Sequence, residues 1–336
     1  MSLPAGPWAS APGALPGTRP DHALDLVLGE LGAGHLPFVP ELPDRGVGAD
    51  AVGRSASFLV DMPVDLQPSG WRLVDRPGAD LGRGRSWWGQ DLDALAERGE
   101  EAAQALALQV GLLGPWSLAA ALQRQRGEVA VSDPGARRDV VESLAVGLGD
   151  VLAAVRRAAS GADLVVLLDE PSLPAVLLGR VPTASGYGSL RSVPVQEVRE
   201  GLRTVVGAAH AAGAAVVLRC HDEDAPLALL GETLADGVAV RVPSEASGAG
   251  SAVWDRVAGL LDAGTTTVLT PRGAGRAADP EALAALVSGP CQQTGIDGDL
   301  LARTALGAVP SVPGRGMSRE DLARTARAAE LLRDGT

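Results

Sequence analysis

The stretch ADLVVLLDEPSLPAVLLG, Ala162–Gly179, decides the fold of this chain. Four apolar residues, Val165 to Leu168, run straight into Asp169, Glu170 and Pro171. A short, continuously apolar run reads as a strand buried on both faces, as in parallel sheets. Pro171 stops it, because proline has no N–H to give to a ladder. The two carboxylates are thus left at the strand's C-terminal end, where parallel α/β folds place their sites. A competing reading takes Asp169, Glu170 and Pro171 as the first turn of a following helix.

Outward from that strand, helix-like and strand-like segments alternate. Asp21–Leu31, Leu92–Leu108, Asp139–Ala159 and Val198–Ala212 carry helical periodicity. Strand-like runs lie at Leu106–Leu113, Leu164–Leu168, Ala214–Cys220, Gly237–Val242 and Gly264–Thr270, and a further one at Ala305–Val309. One strand before Gly17 and one or two between Leu36 and Val74 bring the count close to that of a closed barrel. Such alternation with short glycine-containing links predicts a parallel sheet. The expectation is an α/β fold: a single (β/α)8 barrel over residues 13–336. It carries an irregular N-terminal insertion from His35 to about Trp88, and a flexible Pro/Ala/Gly-rich N-terminus over 1–12 precedes it.

The 336 residues are 46% hydrophobic but only 3% aromatic, so alanine, leucine and valine must fill the core. A net charge of −12 argues against a nucleic-acid partner, which needs clustered positive charge. All 29 basic residues are arginine, which excludes chemistries that need a lysine, such as Schiff-base aldolases, pyridoxal enzymes and P-loops. The two cysteines, Cys220 and Cys291, make no disulfide framework and no CxxC zinc pair. No signal-like or membrane-length apolar run occurs, so the expectation is a cytoplasmic protein acting on a small molecule, with no membrane partner.

Four blocks carry a family resemblance. They are Leu15–Arg54 (LPGTRPDHALDLVLGELGAGHLPFVPELPDRGVGADAVGR), Gln67–Leu81 (QPSGWRLVDRPGADL), the segment from Gly114 (GPWSLAAAL) to Ala145, and Asp169–Val193 (DEPSLPAVLLGRVPTASGYGSLRSV). On these residues the chain resembles the short, actinobacterial, single-barrel type of cobalamin-independent methionine synthase, from about Ala11 to the C-terminus. The resemblance implies methyl transfer to the thiol of homocysteine. It also implies a zinc ion that binds this thiol and holds it as thiolate.

In that family the zinc is held by a His-x-Cys pair at one strand end, an acidic residue at the next, and a cysteine in a Thr-Pro-x-Cys-Gly segment. At the first place this chain reads Val217–His221, with Arg219 in the histidine's position, Cys220 in the middle and His221 where the ligand cysteine stands. At the second, Arg241 or Val242 replaces the acidic residue and Glu245 comes a few residues late. At the third, Val312 stands for the cysteine, and Cys291 lies upstream of it. Cys220 and His221 remain as metal candidates. Adjacent strand residues point to opposite faces, however, and arginine stays protonated, so zinc is expected to bind weakly or not at all.

The resemblance further implies that Asp169 grips the amino group of an amino-acid substrate. With it, Glu170, Tyr187, Arg219 and Arg241 form the candidate binding set, and Arg180, Arg191 and Arg272 lie nearby in sequence. Three functions stay open: a methionine-synthase-type methyltransferase; a non-catalytic homologue that binds an amino acid or another small anionic ligand; and a metal-free enzyme of the uroporphyrinogen decarboxylase type. For the last, arginines at successive strand ends would meet the substrate carboxylates. Asp169, Cys220, Arg241 and Thr270 are expected on one rim. His35 and Glu41 are read as shaping a loop, and Ala14 stands where the family has a serine.

Overall fold

A computed structural model describes residues 3–32, 34–220, 224–245, 250–276, 279–296, 298–311 and 316–335. Seven parallel strands form one curled sheet in the order β1 (Trp8–Ser10), β9 (Thr304–Gly307), β8 (Thr266–Pro271), β7 (Gly237–Val242), β6 (Ala215–Cys220), β5 (Leu164–Asp169) and β4 (Leu108–Leu113). The antiparallel hairpin of β2 (Val64–Gln67) and β3 (Gly70–Leu73) stands apart from it.

The gap between β1 and β4 is closed by residues 36–41. Leu36 N–H donates to Ala9 O (2.9 Å), while Gln109 N–H donates to Pro37 O (2.8 Å) and Val39 N–H to Gln109 O (2.9 Å). Further along, Glu41 N–H donates to Gly13 O and Leu15 N–H to Glu41 O, both at 2.9 Å. Pro37 and Pro40 can give no ladder bond, so this wall is irregular but continuous. The result is a closed (β/α)8 barrel. His35–Glu41, expected at the head of an insertion, is barrel wall instead. The insertion starts beyond it, with α2 (Ala51–Ser57), the hairpin, α3 (Ala79–Ala96) and α4 (Gly99–Ala103). Helix therefore ends at Ala103 rather than running through the expected Leu92–Leu108.

The N-terminus is also corrected, for residues 3–12. Trp8 is 1% exposed and belongs to the first strand; its indole N–H donates to Pro4 O (3.0 Å), and Arg333 donates to Pro7 O (2.6 Å). The strand expected before Gly17 is thus β1, inside the stretch read as flexible, and its partners come from the other end of the chain.

Around the barrel lie α1 (Pro20–Leu31), α5 (Pro115–Ala121), α6 (Pro134–Ala158), α7 (Leu173–Leu178), α8 (Val195–Ala211), α9 (Leu227–Gly231), α10 (Ser251–Asp262), α11 (Pro280–Thr294), α12 (Gly298–Leu301) and α13 (Arg319–Asp334). Their starts follow from sequence. Asp133 caps α6 by accepting from Ala136 N–H (2.9 Å) ahead of Pro134, and Asp279 does the same for α11 from Ala282 N–H (2.8 Å). Strand residues alternate between two cores. Val165, Leu167, Val217, Ala239 and Val268 fill the barrel, whereas Val166, Leu168, Val216, Leu218 and Val240 meet the helices. Each leucine or valine so buried contributes about 1.5–3 kcal/mol. Three tryptophans nevertheless anchor the structure fully buried: Trp8, Trp116 and Trp254.

Candidate functional site at the barrel mouth

The alternation that fills the barrel with Val165 and Leu167 turns Asp169 inward at the C-terminal rim. In register beside it, Arg219 follows Ala215 and Val217 on the inner face of β6. Their side chains meet, with Arg219 Nη1 on Asp169 Oδ2 at 2.5 Å. Asp169 Oδ1 is buried and has no hydrogen-bond partner among the described residues. Burial raises the Asp169 pKa, and the Arg219 guanidinium opposes that rise.

Glu41 ends the irregular wall segment and enters the same space. Its carboxylate stands over Gly111, where a side chain would meet Oε1 at 3.6 Å. Burial pushes its pKa up to about 7, against the pull of Arg54, and no side-chain hydrogen bond to it occurs among the described residues. Asp169, Glu41 and Arg219 line an open cavity of about 810 Å3, solvent-filled mouth included, together with Ala14, Gly111, Pro310 and Met317. Below it, a narrow, mostly apolar chamber reaches into the barrel past Leu167, Val217, Ala239 and Thr270; Arg219 borders both spaces.

Glu170 does something else. It is fully buried on the outer side of the turn and accepts from Trp116 N–H (3.0 Å), Ser117 N–H (2.7 Å) and the Ser117 hydroxyl (2.6 Å). Those donors are the first turn of α5, whose own N-cap, Gly114, has no side chain to offer. A side chain at Gly114 would meet the Glu170 carboxylate at 2.4 Å. Burial pushes Glu170 up to about 7 while these donors pull it down. It caps a helix, as the competing reading had it, but α5, the helix after the neighbouring strand β4, rather than the one that follows Glu170. Its assignment to substrate binding is corrected.

Other expected site residues are placed differently. Tyr187 is 99% exposed, on the loop after α7, and lines neither cavity. Arg241 is inward-facing and exposed on the rim, in register with the buried Thr270, but outside the cavity lining. Arg191 and Arg272 are exposed, and Arg180 pairs with Asp224 (2.7 Å). Cys220 sits on the rim but faces the helices with Val216 and Leu218. It therefore cannot share a ligand sphere with the inward Arg219 and Asp169, and its reading as a mouth metal ligand is corrected. His221 and Val312 lie outside the described residues. Among the described residues no three His, Cys, Asp or Glu side chains cluster as a metal site, and the inward position at the rim end of β6 is Arg219. Among the described residues the charged groups at the mouth, two carboxyls and one arginine, do not make a zinc ligand set. Cys291, in α11, is buried, and its thiol is pushed up to about 12.

Glu41 is the residue that sequence reading missed. The available signal was a single acidic side chain within the apolar, proline-punctuated run Leu36–Leu42.

Neither a protein-family model nor a curated protein sequence matches the chain. Solved structures overlap it loosely. A glycoside hydrolase family 20 β-N-acetylglucosaminidase shares 11% identity at a TM-score of 0.45, over 97% of this chain and 70% of that one. The YdhT protein from Bacillus subtilis shares 10% at 0.45, over 96% and 86%, and TcOYE with pHBA shares 10% at 0.35, over 65% and 79%. No described helix is long and apolar enough to cross a membrane.

Proposed function

We propose that this chain binds a small zwitterionic ligand, an α-amino acid, at the barrel mouth. It does so as a relative of the cobalamin-independent methionine synthases that keeps their amino-acid grip without their zinc-activated thiol transfer. The observation that carries this reading is the polarised mouth. Asp169, whose buried Oδ1 has no hydrogen-bond partner among the described residues, shares one cavity with Glu41 and with Arg219. An ammonium group satisfies both carboxyls, and a ligand carboxylate is drawn to Arg219 and to Arg241 on the rim. Partial burial strengthens both contacts over those made in water.

Calorimetric titration of methionine and homocysteine tests the reading. A Kd of about 1 mM or tighter, weakened at least about thirtyfold in Asp169→Asn, supports it; thirtyfold corresponds to about 2 kcal/mol. Stoichiometric zinc together with methyl transfer to homocysteine would restore the methyltransferase reading. Binding of a tetrapyrrole polycarboxylate but of no amino acid would favour the decarboxylase-type reading, which rests on Arg219 and Arg241 facing inward on adjacent strands.

A further inference from the structure

Near Glu41 in the chain lies a buried charge cluster whose residues, Arg45, Arg54 and Asp91, do not line the mouth cavity. Arg45, on the turn Pro43–Arg45, grips Asp91 of α3 with two hydrogen bonds, at 2.7 and 3.1 Å. Arg54 of α2 shares that same carboxylate at 3.3 Å and donates to Pro40 O at 2.8 Å, one residue before Glu41. Their side chains are 3–4% exposed, and the guanidiniums stack on Trp87 and Trp88, at 5.2 and 4.8 Å from the ring centroids. Nε and Nη2 of Arg54 are buried with no hydrogen-bond partner among the described residues. Two buried guanidiniums therefore share one buried carboxylate, which among the described residues leaves one positive charge uncompensated within the cluster. Glu41 is the next carboxyl along the chain from the Pro40 carbonyl that Arg54 holds.

We propose that Arg54 is the positioning residue of the mouth: it fixes the end of the irregular wall through Pro40 and keeps Glu41 available as an anion for a cationic ligand group. The use of that anion rests on the function proposed above; the control of its charge does not. The charges that bear on Glu41 are, in falling order, those of Arg54 from α2, Asp169 from β5, Arg219 from β6 and Asp91 from α3. Arg54 and Asp91 bear on it with opposite signs, which gives the test its discrimination.

Carboxyl-labelled glutamate makes the titration of Glu41 visible by carbon NMR in the free protein, with Glu41→Gln assigning the signal. Arg54→Met should move the midpoint upward by roughly one pH unit or more, since a nearby positive charge is lost. Asp91→Asn should move it downward, and Arg54→Lys should leave it near the wild-type value. Shifts of the same sign in Arg54→Met and Asp91→Asn, or no shift in folded protein, would overturn the proposal. If Arg54→Met does not fold, the downward shift in Asp91→Asn and the retained midpoint in Arg54→Lys decide the matter. Opposite shifts in a protein that binds no amino acid would leave this inference standing and the proposed function refuted.

Discussion

Replacing Glu170 by alanine should damage the fold and spare the mouth. The wild-type carboxylate accepts three hydrogen bonds from the start of α5, at 3.0, 2.7 and 2.6 Å, and is fully buried. Alanine strands the N–H groups of Trp116 and Ser117 away from water, each at about 1–3 kcal/mol. It also frees the Ser117 hydroxyl, which otherwise accepts from Ser172 N–H at 3.0 Å and so ties the turn after β5 to α5. The total is roughly 3–5 kcal/mol, within the range for removing a buried, hydrogen-bonded charge. For a chain of this length the unfolding entropy converts that to a fall of roughly 4–7 °C in melting temperature. Glutamine keeps the shape and one acceptor, and should cost about half as much. The assay is a thermal melt followed by circular dichroism, with calorimetric titration of methionine on the same samples. An unchanged melting temperature, or an affinity lost more than about tenfold in protein that is still folded, would refute the assignment of Glu170 to the helix rather than the ligand.

Gly147→Ala on α6 should destabilise by more than about 3 kcal/mol, because the new methyl would lie 1.8 Å from Phe58 O and only a backbone shift can relieve it; denaturant melts measure this. Glu41 should give stability a pH slope. Its folded pKa, about 7, lies above its ordinary 4.5, so the folded state holds the proton more tightly and stability falls as pH rises between these values. The slope should approach about 1.4 kcal/mol per pH unit within that window and flatten above it, and Glu41→Gln should remove this part, as urea melts from pH 4.5 to 8 will show. Added zinc should leave the melting temperature unchanged and the metal content well under one ion per chain. Stoichiometric zinc lost on Cys220→Ala would contradict the outward placement of that thiol.

Much of the architecture was legible in the sequence, because it rests on local signals. The run from Val165 to Leu168 with its proline stop gave β5, the like runs gave β6 to β8, and the helix read over Asp139–Ala159 is the body of α6, which starts one turn earlier at Pro134. The rim position of Asp169 follows from the same proline. The site was less legible. A strand apolar on both faces shows no alternation, so VVLLDE does not say which of Asp169 and Glu170 looks into the barrel and which into the helices. The same ambiguity covers Arg219 and Cys220 in VVLRC. Only closure of the barrel sets that phase: once Val165, Leu167 and Val217 pack around the axis, Asp169 and Arg219 must face the mouth, while Glu170 and Cys220 must face outward.

Glu41 was hidden for a second reason. Prolines erase the strand pattern of residues 36–41, and the hydrogen bonds that make this segment a wall come from Ala9, Gly13, Leu15 and Gln109. Local sequence thus determined the regular strands β5 to β8 and where they stop. The tertiary structure decided which side chains share the cavity, because the direction of a side chain depends on partners distant in the chain.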